Sequence, residues 1–301
     1  MPKDKAPVRT LAVIARHEGV SEALVQAGEL VDLRFPAGSQ LSLRAAKLFC
    51  LLIQAAGARI VEPIQHRLPL AALNQTFHVS IPEMEALVDE LHGTTIKLHL
   101  QDAEGRRFTK SGPILADVER EDEDQAQAEI RFEFSATLRK AVADSIHWAI
   151  LSRRAVLAFG SRYALRLYTI LSLRTNRYQV TQDFRLGDLR ELLGVPEGKL
   201  VRWVDLRRKV LDPAIAEVNQ LSGFRVGYKP LKLGRVVVGV TLVWWHKNEA
   251  DLVEALKELD LPMTGRKARR LTLVEQVQEE ESRAREIMLG DLTRAAPRPV
   301  G

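Results

Sequence analysis

One order of predicted elements occurs twice along the sequence, and this repetition limits the possible folds more than any other feature. In the first half, apolar residues from Leu41 to Ala55 recur at the helix period, and Gly57 follows where a helix end is expected. Residues 70–73 form a short apolar segment. Ser80 and Glu83 then have the spacing of a capping box. The segments that follow are a helix that ends at Gly93 and alternating strands over residues 94–100, 114–118 and 130–134.

The second half predicts the same elements in the same order. Residues 161–173 have an apolar helical face, and a short helix over residues 188–193 is ended by Gly194. A long helix is predicted from Lys199, with a break at Asp212-Pro213, where the aspartate is a suitable N-cap and the proline a suitable first residue. Strands follow over residues 224–228 and 236–245, joined by a basic loop over residues 229–235.

A short helix, a second helix across a turn and a β-hairpin are the elements of a winged helix-turn-helix. The chain has 301 residues, a length that suits two compact domains. We therefore predict an α+β protein with two tandem winged-helix domains and a helical, charged C-terminal extension. The predicted segments are an N-terminal arm over residues 1–30 with possible strand character at 11–14, a first domain over 31–150, a second over 151–248 and the extension over 249–301.

Charge is distributed unevenly between these segments. The whole chain has a formal net charge of +5, but residues 151–248 hold 18 Lys and Arg against 7 Asp and Glu. Residues 117–133 hold 8 acidic against 2 basic residues, and the acidic run at 119–124 has no predicted role. Local fields decide which partners a protein attracts, so a polyanion is expected to bind the second domain.

The helix predicted from Lys199 has the pattern of a DNA-recognition helix. On a helical wheel, one side is apolar and the other is mainly basic. The apolar side holds Leu200, Trp203, Leu206, Val210 and Leu211, and the opposite side holds Arg202, Asp205, Arg208 and Lys209. A helix that exposes cations suits the major groove, where guanine offers acceptors to Arg and Lys. The helix after Ser80 exposes acids instead, so we expect the first domain to serve mainly in contacts with a partner or in dimerisation. Contacts with the DNA backbone are suggested for Arg44, Lys47 and His78, although an ordinary surface position is the stronger expectation for these three. The predicted DNA-binding residues are Arg162, Lys199, Arg202, Arg208, Lys209, Lys229, Lys232 and Arg235.

No residue pattern predicts an enzyme, a metal site or a membrane segment. The segment before Gly198-Lys199 lacks the first glycine of a phosphate loop, and Leu200 stands where a Mg²⁺-binding Ser or Thr is required. The seven histidines have no spacing suited to zinc, and no stretch approaches 18 apolar residues. The single cysteine, Cys50, lies in an apolar run and is expected to be a buried thiol in a reducing compartment. We predict a cytoplasmic protein without cofactors.

Three segments resemble the replication initiators of theta-replicating, iteron-containing plasmids. Ser161-Arg-Tyr-Ala-Leu-Arg-Leu-Tyr168 is similar to the first helix of that family's second domain. The run from Trp203 to Asn219, followed by Lys232-Leu-Gly-Arg235, resembles its recognition helix and wing. The resemblance covers residues 160–245 well, whereas the first domain agrees only in the order of its elements.

The resemblance implies a protein that binds repeated double-stranded DNA sites at an origin as a monomer, helps to open the origin, and recruits the host initiator and helicase. As a homodimer, such a protein binds an operator and represses its own gene. Two alternatives stay open: a winged-helix transcriptional regulator without a replication role, and an origin-nicking nuclease, which would require a divalent metal.

Overall fold

The computed structural model describes residues 9–33, 40–77, 79–101, 105–120, 129–176 and 179–270. The chain divides into two compact units, Met1–Leu157 and Ala158–Gly301. His78 and most of the acidic run, from residue 121, lie outside the described residues.

Unit 1 contains seven α-helices and seven strands among its described residues. In chain order they are α1 (Thr10–His17), β1 (Ala23–Ala27), α2 (Gly28–Val31), α3 (Leu43–Ala56), β2 (His66–Pro69), α4 (Leu70–Phe77), α5 (Ile81–Gly93), β3 (Thr95–Gln101), β4 (Arg107–Pro113), β5 (Leu115–Arg120), β6 (Glu129–Phe134), α6 (Ala136–Asp144), β7 (Trp148–Ser152) and α7 (Arg153–Ala158), the last of which ends at the boundary with unit 2. The strands form three antiparallel sheets with the orders β2-β6-β5, β3-β4 and β1-β7.

Local signals in the sequence begin and end α3 and α5; the stop at Gly57, the capping box and the end at Gly93 were predicted, whereas the Ser42 cap was not. The Ser42 hydroxyl accepts a hydrogen bond from the Ala45 amide at 3.1 Å and caps α3, which ends at Gly57 with φ +54°. Ser80 and Glu83 form the predicted capping box of α5. These helices and the sheet of β6 bury one apolar core, which includes Leu48, Leu52, Ile60, Phe132 and Phe134.

The N-terminal residues differ from the expected arm. Residues 11–14 lie in helix α1 rather than in a strand, since a short apolar run fits either period. Val13 and Ile14 are buried in the core of unit 1, and β1 pairs with β7. From residue 9 onward this segment is therefore part of the first compact unit.

Cys50 is buried in α3, as predicted, and its thiol is an unreactive group. The Gln26 amide donates a hydrogen bond to Sγ at 3.2 Å. Burial raises the pKa of the Cys50 thiol to about 12, so almost no thiolate forms at neutral pH.

We therefore expect Cys50 to resist a thiol reagent such as DTNB in the native protein and to react quickly in about 6 M guanidinium chloride, where small domains are unfolded. The chain has one cysteine, so the rate of modification reports the opening of unit 1 alone. Rapid stoichiometric modification under native conditions would contradict the buried placement.

Unit 2 contains the second set of repeated elements. Its described α-helices and strands are α8 (Arg162–Asn176), β8 (Thr181–Arg185), α9 (Leu186–Leu193), α10 (Trp203–Leu206), α11 (Asp212–Leu221), β9 (Phe224–Leu233), β10 (Val236–His246) and α12 (Glu249–Asp260), with a π-helical turn, Arg207–Leu211, between α10 and α11. The strands form one antiparallel sheet with the order β8-β10-β9. Strand β8 was not predicted, because Thr181-Gln-Asp-Phe-Arg185 lacks a strong apolar alternation.

The core of unit 2 lies between α8, α11 and the sheet. Leu167 and Leu171 lie on the apolar face predicted over residues 161–173 and are buried, as are Ile215 and Val240. The Asn219 amide joins helix to sheet, since it donates to the Val226 carbonyl at 3.1 Å and accepts from the Val226 amide at 2.7 Å. The core therefore fixes α11 against the sheet.

The segment after β10 also packs within unit 2, although it was predicted as a separate extension. Glu217 on α11 is fully buried and accepts hydrogen bonds from the Gly160 amide at 2.5 Å and from the Arg270 guanidinium at 2.8 Å. Arg266 is 4% exposed and donates to the carbonyls of Ala158 and Leu261. We call the following residues the C-terminal clasp: Glu217, Glu258, Arg266, Arg269 and Arg270.

Candidate DNA interface

The turn before α10 is held in an unusual backbone conformation. Gly194 ends α9 in the left-handed region, Gly198 has φ +73°, and Leu200 has φ +49°, which is uncommon for a residue with a Cβ. Arg190 on α9 donates hydrogen bonds to the carbonyls of Leu200, at 3.1 Å, and Val201. The Arg190 guanidinium therefore fixes the backbone immediately before the second helix of the motif.

The second helix begins at Trp203, and the prediction that it begins at Lys199 was wrong. Lys199 lies in the turn, where its amide donates to the Pro196 carbonyl at 3.1 Å. Arg202 is the N-cap residue, with extended backbone angles. The sequence favours a helix over these residues, but the positive φ of Leu200 prevents the helical path from starting earlier.

The predicted break at Asp212-Pro213 was also wrong, because the helix continues through it. Pro213 has no amide proton and would remove one helical hydrogen bond. The chain accommodates this with the π-helical turn, in which the Asp212 amide donates to the Arg207 carbonyl five residues earlier. We call residues 203–221 the recognition helix.

The Asp212 side chain has a different role from the predicted N-cap. It is buried, accepts a hydrogen bond from the Tyr228 hydroxyl at 2.8 Å, and lies 3.6 Å from the Arg207 guanidinium. Burial raises the pKa of the Asp212 carboxyl, while Tyr228 and Arg207 act in the opposite direction. The carboxylate thus connects the recognition helix to strand β9.

The first turns of the recognition helix present cations to solvent. Arg208 and Lys209 are exposed, and the Arg202 side chain is 81% exposed. Arg202 donates a hydrogen bond to Asp205 at 2.7 Å, and this bond lowers the pKa of the Asp205 carboxyl. Asp205 therefore remains ionised at neutral pH and offsets the charge of Arg202, while Arg208 and Lys209 add two further exposed positive charges on the same helix.

The wing is longer and its cations are more dispersed than predicted. Strand β9 continues to Leu233, so Lys229 and Lys232 lie on a strand rather than in a loop, opposite Thr241 and Val237 respectively. Because successive side chains of a strand alternate, these two lysines are on opposite faces of the hairpin. The turn contains only Gly234 and Arg235, and Gly234 supplies the positive φ that such a tight turn requires.

The remaining predicted DNA-binding residue, Arg162, lies at the start of α8. Its guanidinium stacks over the Tyr163 ring, 4.9 Å from the centroid, and donates to the Tyr163 hydroxyl at 3.0 Å. The other tyrosine of this helix, Tyr168, differs from Tyr163 in that it is buried and contacts the rings of Phe159 and Phe224. Arg162 is thus partly exposed and is oriented by an aromatic neighbour.

In unit 1, one of the three suggested backbone contacts is wrong. Lys47 is 6% exposed and donates to the Leu157 carbonyl at 2.7 Å, so it cannot reach a phosphate. Arg44 lies over the Phe77 ring and 3.3 Å from Glu83. Helix α5 exposes Glu83, Glu85 and Asp89, which would repel phosphate groups, as the sequence indicated.

Sequence reasoning missed Arg190, Val201 and Val204. Both valines are exposed, by 67% and 57%, next to the first turn of the recognition helix. The signal for Val204 was its spacing of four residues from Arg208, which places the two on one helical face. The importance of Arg190 depends on the path of the turn, which no local pattern encodes.

We expect Arg190→Ala to weaken DNA binding at least tenfold, because the turn before the recognition helix loses two hydrogen bonds from a charged donor and such bonds contribute roughly 1.5–3 kcal/mol. Arg190→Lys keeps a charged donor and should therefore lose less affinity than Arg190→Ala. The measurement is the DNA dissociation constant, with Trp fluorescence to confirm that unit 2 remains folded. Unchanged affinity for Arg190→Ala would mean that the turn holds its conformation without this side chain.

Among the described residues, no group of three or more His, Cys, Asp or Glu side chains is arranged to hold a metal ion. None of the helices in the described ranges has the length and apolar character needed to cross a bilayer.

Two winged helices, one of which combines an exposed basic recognition helix with a basic wing, define a DNA-binding protein of the winged-helix class. The chain belongs to the family of initiator Rep proteins. Residues 24–172 match the family model described as Initiator Replication protein, WH1, and residues 185–244 match the model described as Initiator Rep protein, WH2. Both the predicted fold class and the predicted family are therefore confirmed.

Solved structures agree with this fold, and 21 of their chains match the protein. One is described as the crystal structure of Pi initiator protein in complex with iteron DNA. It shares 15% sequence identity with this protein, with a TM-score of 0.55 over 76% of this chain and 98% of the other. No curated protein sequence matches this one significantly.

Proposed function

We propose that this protein initiates plasmid replication by binding repeated double-stranded DNA sites at its origin. The observation that carries the proposal is the match of both winged-helix domains to initiator Rep proteins, together with the exposed Arg208 and Lys209 on the recognition helix. The Pi initiator protein, which has the same fold, was crystallised with iteron DNA. A charge excess in the second half of the chain supports the same partner.

In this proposal the eight predicted residues divide by the part of DNA that they contact. Arg208 and Lys209 reach base edges in the major groove, because residues near the start of a recognition helix approach the bases. Arg202, already paired with Asp205, contacts a phosphate at the groove edge. The other phosphate contacts come from Arg162, Lys199, Lys229, Lys232 and Arg235, on α8, the turn and the wing.

Further steps complete the proposal. Bound monomers open an adjacent origin segment and recruit the host initiator and helicase in the cytoplasm. A homodimer, formed mainly through unit 1, binds an operator and represses the protein's own gene. The protein acts by binding, without a cofactor and without cutting DNA.

The test has two arms. DNase I footprinting on the DNA that flanks the gene should give protection that recurs at direct repeats. A replicon in which the gene is disrupted should be lost unless the protein is supplied in trans. Propagation of the disrupted replicon would contradict the initiator role and favour a transcriptional regulator.

The nuclease alternative is tested separately. Supercoiled origin DNA incubated with the protein and Mg²⁺ or Mn²⁺ should remain supercoiled. The appearance of relaxed circles that require the protein would contradict the proposal that it does not cut DNA.

A further inference from the structure

Large apolar side chains are exposed on the recognition helix, on the turn before it and on the wing, which the proposed function places against DNA. Among the described residues, Leu233, Val201 and Val236 have the largest exposed fractions of the large hydrophobics, at 75%, 67% and 65%. Val204 is 57% exposed at the second position of the recognition helix. Isolated exposed hydrophobics are ordinary, so the position of each one decides whether it has a role.

Val204 has the position of a base-reading residue. The neighbouring residues Trp203 and Leu206 face the protein, since Leu206 is fully buried and the Trp203 ring lies 6.0 Å from that of Tyr228. Val204 faces away from this core and precedes Arg208 by four residues, one helical turn. If Arg208 contacts a base from this face of the helix, Val204 would therefore contact the neighbouring base.

The chemistry of valine restricts what it can recognise in the major groove. Its side chain has no hydrogen-bond donor or acceptor, so it cannot form hydrogen bonds with the acceptors and amino groups of the bases. The C5-methyl group of thymine is the apolar feature of the major-groove edges and is read by apolar contact. Valine also has a restricted χ1, which fixes its methyl groups in position with little loss of entropy.

We propose that Val204 determines sequence specificity by contacting the C5-methyl group of one thymine in the repeated DNA site, next to the base contacted by Arg208. This inference rests on the proposed function, because it requires the recognition helix to lie in the major groove. A protein partner that covers Val201 and Val204 is the competing explanation, and it predicts no dependence on thymine methyl groups.

The experiment replaces each thymine of one repeat in turn with deoxyuridine, which lacks the methyl group and keeps every hydrogen-bonding group. Fluorescence anisotropy then gives the dissociation constant for the full-length protein and for Val204→Ala. For the unchanged protein, one position should weaken binding about fourfold, the effect of one buried methyl group. Val204→Ala should weaken binding to the thymine-containing repeat by a similar factor and should be insensitive to deoxyuridine at that position.

Two control variants make this result specific. Val253→Ala removes a similarly exposed valine from α12 and should keep the full response to deoxyuridine. Arg208→Ala should bind every version of the repeat more weakly than the unchanged protein does, and its binding should still weaken when the same thymine is replaced by deoxyuridine. Alanine is a good helix former at an exposed site, so Val204→Ala should fold normally, which Trp fluorescence confirms.

The outcomes separate this inference from the proposed function. If the unchanged protein binds the repeat specifically but no thymine is sensitive, or if Val204→Ala keeps the same sensitive thymine, the role of Val204 is overturned and the proposed function stands. If the protein does not distinguish the repeat from scrambled DNA, the proposed function itself fails.

Discussion

Replacing Glu217 by alanine should lower the free energy of unfolding of unit 2 by about 3–5 kcal/mol, because it removes one partner of a buried ion pair. The Arg270 guanidinium would stay in a site where its side chain is 13% exposed, and the Gly160 amide would lose its acceptor. Burial already lowers the pKa of Arg270, while the Glu217 carboxylate opposes that effect. The variant therefore leaves an uncompensated charge and an unpaired amide inside the protein.

Urea unfolding followed by Trp fluorescence measures this effect, because Trp203, Trp244 and Trp245 lie in unit 2 and only Trp148 lies in unit 1. The modification rate of Cys50 follows unit 1 in the same samples. Glu217→Gln keeps an acceptor for Gly160 and should lose less stability than Glu217→Ala.

Glu62→Ala is the control for Glu217→Ala. It breaks a surface pair with Arg59 in unit 1 and should cost under about 1 kcal/mol, as followed by the modification rate of Cys50. A loss of similar size for Glu217→Ala would mean that the C-terminal clasp is only a surface contact.

The second large effect is expected from Arg208→Ala, which should weaken binding to the repeated site by about 1–3 kcal/mol, or roughly 5- to 150-fold. Arg208 is exposed on the recognition helix, one turn after Val204. If it contacts guanine, the loss should be confined to the specific site, and binding to scrambled DNA should change little.

Lys232→Ala is the matched comparison for Arg208→Ala, because Lys232 is also an exposed cation and lies on the wing. Loss of a phosphate contact should weaken binding to all sequences and reduce the slope of log affinity against log salt by about 1. If Arg208→Ala behaves in the same way as Lys232→Ala, Arg208 contacts a phosphate and the assignment of base readout to it is wrong.

The sequence predicts helices best where local chemistry ends them. Ser42, Ser80 and Gly194 act on backbone groups within a few residues, so α3, α5 and α9 occur close to where their patterns place them. The winged-helix order of elements follows from such local signals, and the family models agree with it.

The errors arise where distant contacts override local preference. Arg190 fixes the turn at Leu200 and delays the recognition helix to Trp203. The π-helical turn over Arg207–Leu211 accommodates Pro213, so the helix continues where the sequence predicts a break. A sequence pattern describes one segment at a time and cannot include a hydrogen bond from another helix.

The candidate site follows the same rule. The sequence identified Arg208, Lys209 and Arg235 as exposed cations because each lies in a segment with a clear polar face or tip. It did not identify the pairing of Arg202 with Asp205 as a limit on the charge that Arg202 offers to DNA. The ion pair between Glu217 and Arg270 in the C-terminal clasp joins residues 53 positions apart, so no periodic pattern in the sequence could predict it.

The central claim, that this protein recognises specific DNA, is tested most directly by fluorescence anisotropy on the DNA flanking its gene and on scrambled DNA of equal length. The salt concentration is raised from about 50 to 200 mM, because phosphate contacts weaken steeply over that range. We predict that binding to a repeat-bearing segment persists at the higher salt concentration while binding to scrambled DNA is lost. Equal affinities with the same steep salt dependence for both DNAs would contradict the claim and reduce the basic recognition helix and wing to a general surface for polyanions.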